Sequence, residues 1–154
     1  MSIRATHRPV QVSLKTADFM VLDDFLPEKD ADHVWNFFRA HDFRAVHQQK
    51  WIKAFRLSDG TPLWGDVFLS HRVANDNTSH VYPSQQGLDP LISGMLDSAP
   101  QFAPYIGEHG KTWDYFFCRP YIYPSGTGLS WHTDGRGGVA GAYVYYAHKR
   151  WSAL

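Results

Sequence analysis

The sequence predicts an α+β domain, with N-terminal helices packed on closely spaced strands that form part of a double-sheet barrel. Three observations lead there. Apolar residues recur at three- and four-residue spacing after Pro27, and an aromatic, β-prone pattern takes over after residue 112. The chain has 154 residues, long enough for one real core and too short to assume two.

The segment 19–26, FMVLDDFL, has the content of a short strand leading to a turn. Pro27 suits the first turn of a helix, where a missing N–H is no loss. In PEKDADHVWNFFRAH the positions Ala31, Val34, Trp35 and Phe38 form one apolar side, predicted to face the β-rich portion. Glu28 and Asp30 lie near the positive end of that helix and Arg39 near the other, while His33 reads as a surface residue. WIKAFRLS reads as a strand before a turn at DGTP, and residues 71–87 as a loop carrying His71 and His80. LDPLISGMLDSAPQF is a second helix that ends near Pro100, with Gly94 weakening its middle. His109, in IGEHGK, reads as a turn residue. TWDYFFCRPYIY is strand-forming, broken or bulged at Pro120. PSGTG is a tight turn, SWHTD a short strand, GRGG a second turn and VAGAYVYYA a last strand.

Composition narrows the setting. Fifteen Lys and Arg balance fifteen Asp and Glu, which argues against attraction to nucleic acid or to an anionic membrane. No window approaches the roughly 20 apolar residues of a membrane span, and MSIRATHRPV lacks the apolar stretch of a secretory signal. Cys118 is the one cysteine, so no intrachain disulfide forms; a cytoplasmic setting and a buried, inert thiol are expected.

The chemistry concentrates in WHTDGRGG, residues 131–138. On an extended strand His132 and Asp134 point to one face, with Cα atoms about 6.5–7 Å apart. An imidazole and a carboxylate suit non-haem Fe(II), and a further histidine would complete a facial triad. Taken alone, the pair is equally a surface hydrogen bond. Tyr123 either faces a bound carboxylate or belongs to the barrel wall. Arg136 either meets an acidic cosubstrate or is a solvated loop residue.

The run YIYPSGTGLSWHTDGRGGVAGAYVYYAHKRW resembles the first half of the catalytic core of iron(II)/2-oxoglutarate-dependent oxygenases of the prolyl 4-hydroxylase-like type. Such enzymes place a Tyr-x-x-Gly stretch before a metal-binding His-x-Asp, here Tyr123, Gly126, His132 and Asp134. FMVLDDFLPEKDADHVWNFF is similar to their N-terminal strand and helix. The resemblance implies a jelly-roll (cupin-like) double-stranded β-helix, incomplete in this chain. An N-terminal cap would occupy about 18–112, and the first core strands about 113–154, of a single domain or fragment. It also implies a dioxygenase of hydroxylase type, with His132 and Asp134 as iron ligands and catalytic residues. Fe(II) would be the cofactor, 2-oxoglutarate and O2 the cosubstrates, and Tyr123 and Arg136 the cosubstrate contacts. The substrate would be a peptide, amino acid or other small molecule.

One departure matters. The family places a distal ligand histidine and a carboxylate-gripping basic residue well downstream, and only residues 135–154 follow Asp134. His148 does not match the distal position, and neither Lys149 nor Arg150 can be assigned the gripping role. The chain alone is therefore expected to be incomplete, needing a complementing chain or a second copy. The competing reading is a non-catalytic binding domain whose Trp and Tyr residues line a peptide or small-molecule groove.

Overall fold

The computed structural model describes residues 10–47, 55–134 and 138–148. Two strands, β1 (Gln11–Lys15) and β2 (Met20–Asp23), form an antiparallel hairpin in which Leu14 faces Val21. Helix α1 (Glu28–Ala40) follows, and strands β3 (Arg44–Ala45), β4 (Leu63–Trp64), β5 (Phe68–Leu69) and β6 (His80–Val81) precede helix α2 (Asp89–Ile106). Strands β7 (Phe117–Cys118) and β8 (Tyr121–Ile122) come last.

The helix expected after Pro27 is present, and Val34 is fully buried on it. Ala31 and Phe38 join the main core as predicted, but the second aromatic of that face is Phe37 rather than Trp35. That face meets α2 as well as the β-portion: Leu26, Val34, Phe68, Leu88, Leu91, Ile92 and Cys118 form one buried cluster. Helix α2 does not stop at Pro100. It runs through Pro100 and Pro104 to Ile106 and ends at Gly107, whose φ of 78° lies in the left-handed region. Gly94 is buried, and a Cβ there would stand 3.1 Å from Leu26 Cδ2. The missing side chain that weakens the helix locally thus lets it sit close to the end of the β2–α1 connection.

The sheets correct the barrel expectation. Besides the hairpin there are two three-stranded sheets, ordered β3-β4-β8 and β6-β5-β7, whose strands are two residues long. They are open and do not curl into a jelly roll or double-stranded β-helix, complete or incomplete. Pro120 supplies part of the reason: Arg119 and Pro120 divide the TWDYFFCRPYIY run, so that β7 and β8 fall in different sheets. The SWHTD and VAGAYVYYA segments supply the rest, because neither joins a strand ladder. Of WIKAFRLS, residues 51–54 lie outside the described residues, and Leu57 and Ser58 open a 3-10 turn (Leu57–Asp59) in place of a strand. A smaller cluster of Val46, Phe55 and Trp64, with Tyr121 against it, forms the core of the β3-β4-β8 sheet.

Candidate functional site

The PSGTG turn closes as predicted: Thr127 N–H donates to Pro124 O at 3.0 Å, and Gly126 takes a φ of 80°. The stretch after it is pinned by an acidic residue that no sequence motif singled out. Asp59 is buried at the end of the 3-10 turn, and its carboxylate accepts hydrogen bonds from Arg56 N–H at 2.7 Å and from the Ser130 hydroxyl. Gly128 N–H donates to Asp59 O at 2.9 Å. The Ser130 hydroxyl, followed by the Arg56 amide, holds the Asp59 carboxyl below its ordinary range. The Asp-Gly pair at 59–60 was legible as a turn; the carboxylate's reach to residue 130 had no local signal.

His132 and Asp134 do come together, though on an irregular, exposed stretch instead of a strand. His132 Nε2 stands 2.8 Å from Asp134 Oδ1, and Nδ1 stands 2.8 Å from Ser130 O. Both neighbours are acceptors, so the two ring nitrogens are turned toward contacts within this short stretch. No third ligand converges on them: among the described residues no group of three or more His, Cys, Asp or Glu is placed to hold a metal ion. This overturns the Fe(II) assignment, and with it 2-oxoglutarate and O2 as cosubstrates and the dioxygenase activity of hydroxylase type that depends on them. His132 and Asp134 form the surface pair that the bare spacing also allowed.

Tyr123 stands 6.4 Å from Phe55 and 6.1 Å from Tyr121, ring centre to ring centre, beside the smaller core. It is 43% exposed, and partial desolvation, with Tyr121 and Asp59 nearby, pushes its phenol up to about 12. Its neighbour strand β8 pairs with β4, and the His132 stretch forms no strand beside it. Arg136, Lys149 and Arg150 lie outside the described residues. Cys118 is buried as expected, and desolvation pushes its thiol up to about 12. His71 and His109 lie against aromatic rings, Tyr115 at 5.5 Å and Trp113 at 4.5 Å. His80 was read as a loop residue but lies on β6, stacked on Phe68 at 4.7 Å.

Three large apolar side chains are exposed along 139–147. The second half of this segment, 143–147, keeps the alternation of a strand, while 139–142 are exposed throughout. Tyr143, Tyr145 and Ala147 pack on the main core, while Val139, Val144 and Tyr146 face outward, Val144 with 73% of its surface exposed. A side chain at Gly141 would collide with Ile106, so the segment is laid tightly against the end of α2. Tyr143 stands edge-on to Phe116 at 5.9 Å, and its hydroxyl reaches Phe117 O at 3.4 Å. Residues 139–147 nonetheless belong to no strand ladder. Trp131, upstream, is 98% exposed.

No helix among the described residues is long and apolar enough to cross a membrane. The chain matches no protein-family model, no curated protein sequence and no solved structure. The likeness to the oxygenases therefore stands on its sequence motif alone.

Proposed function

We propose that the chain is a non-catalytic binding domain that takes an extended apolar peptide along residues 139–147. The supporting observation is that residues 143–147 keep a strand's alternation and are anchored by their inward side chains, while 139–147 join no ladder among the described residues. An unpaired segment of this kind is a candidate template for strand addition. Main-chain hydrogen bonds supply affinity, and alternate side chains supply selectivity. Val139, Val144 and Tyr146 offer the apolar contacts, and fully exposed Trp131 offers a large, rigid aromatic surface of the type enriched at binding hot spots.

Selection from a displayed random-peptide library, followed by fluorescence polarisation, tests this reading. Peptides with alternating apolar residues should bind with dissociation constants on the order of 1 μM. Binding should protect the amides of 140–147 from hydrogen exchange, and Val144→Asp should weaken it at least tenfold, about 1.4 kcal/mol. Peptides that bind equally well after proline replaces every second residue would refute strand addition. So would protection confined to other segments.

A further inference from the structure

The smaller core contains an unusual polar arrangement. Two buried nitrogen donors, the Trp64 indole Nε1 and Arg119 Nε, lack any hydrogen-bond partner. Trp64 is itself only 9% exposed. Buried orphan donors are rare because an unmet N–H forfeits its water without compensation, and such groups commonly mark a bound water or ion. Here the two occur together, since Arg119 Cζ lies 4.1 Å from the centre of the Trp64 ring.

The fold fixes both. Trp64, on β4, has Arg44 of β3 and Tyr121 of β8 as its cross-strand neighbours. Gly65 N–H donates to Pro120 O at 2.9 Å, which ties down the backbone beside Arg119. The charges are unequal. Arg44, 5.6 Å from the Trp64 ring, takes the Asp66 carboxylate at 2.5 Å, and that carboxylate also faces His80 at 3.4 Å. Arg119 has no carboxylate partner among the described residues. A permanently charged guanidinium stacked on an indole, with a donor of each unmet, is complementary to one small acceptor-rich anion.

We propose that Arg119 and Trp64 form a binding site for a single oxyanion group, a carboxylate or a phosphate. The guanidinium supplies the charge and the indole N–H a second hydrogen bond. Arg119 is half-buried, so part of its side chain meets solvent. The site is independent of the peptide surface proposed above.

Nitrogen–proton correlation spectra of the full chain provide the test. The Trp64 indole resonance, identified by its loss in Trp64→Phe, is followed during titration with inorganic phosphate, with acetate and with chloride at matched ionic strength. A saturable shift with a dissociation constant on the order of 1 mM is expected. Saturation by phosphate alone or by acetate alone identifies the class, and saturation by both identifies a shared oxyanion site. Arg119→Gln should weaken binding about tenfold or more, the scale of one charge-assisted hydrogen bond. Arg119→Lys, which keeps the charge and loses the planar fork, should weaken it less and serves where the Gln variant fails to fold. A shift that is linear in concentration, equalled by chloride, or indifferent to both Arg119 variants would overturn the proposal.

Discussion

Replacing Phe68 by alanine should remove a large share of the stability of this domain. Phe68 is fully buried on β5, the central strand of its sheet, and belongs to the main core with Val34, Leu88 and Ile92. Its ring stands edge-on to Phe37 at 5.6 Å and stacks on His80 at 4.7 Å. Truncating a buried Phe to Ala costs about 3–5 kcal/mol through lost transfer free energy and the cavity left behind. The whole stability of a domain is about 5–15 kcal/mol. At a urea dependence of about 2 kcal/mol per molar, the midpoint of unfolding should fall by about 1.5–2.5 M. Phe68→Leu keeps most of the volume and loses the ring contacts, so about 1–2 kcal/mol is expected. Leu57, 87% exposed, provides a control whose replacement by alanine should cost under about 0.5 kcal/mol. Urea titrations followed by far-ultraviolet circular dichroism supply the numbers. A loss below about 1 kcal/mol for Phe68→Ala would mean that Phe68 is not at the centre of the core.

Two further outcomes concern the histidines. His41 Nε2 accepts the Asp66 N–H at 3.2 Å, and burial holds its pKa below the ordinary imidazole value. The unfolded chain then binds more protons, so this contribution is complete above pH about 6.5 and is lost as pH falls through the lowered folded value. His41→Gln, which can still accept a hydrogen bond and does not titrate, should flatten the fall in stability between neutral and mildly acidic pH; urea titrations across that range measure it, and an unchanged slope would reject the assignment. The exposed His132–Asp134 pair should contribute little, so His132→Ala and Asp134→Ala should each shift stability by less than about 1 kcal/mol. Anaerobic Fe(II) titration should show no saturable site that Asp134→Ala abolishes; finding one would restore the iron reading.

How much was legible depended on the range of the interaction. Helix α1 could be read because its cause is local: apolar spacing, a proline at the entry and acidic residues in the first turn. The Pro124–Thr127 turn and the break at Pro120 were local in the same sense. The inward and outward faces of 143–147 follow from two-residue alternation, but alternation does not specify a pairing partner, so the expected strand has no ladder. Helix α2 outran its predicted end, and its last turn is held by distant parts of the chain: the Tyr105 hydroxyl donates to Thr16 O at 3.1 Å, and Gly141 is laid against Ile106. The His132–Asp134 pair was found, yet its meaning depended on a third ligand that spacing could not supply. The contacts that distinguish Asp59, Trp64 and Arg119 come from distant parts of the chain, Ser130 for Asp59 and the Trp64–Arg119 contact for the other two, and no motif announces them.

The corner where the two larger sheets meet has a consequence for how the molecule comes apart. The chain crosses from one sheet to the other between Trp64 and Phe68 and crosses back between Cys118 and Tyr121, and the Gly65–Pro120 hydrogen bond clips the two crossings side by side. Peeling either sheet away must therefore break the other's anchorage too. The two sheets should open as one cooperative unit, their amides exchanging with deuterium at a common opening free energy, whereas the exposed β1–β2 hairpin is free to fray ahead of them.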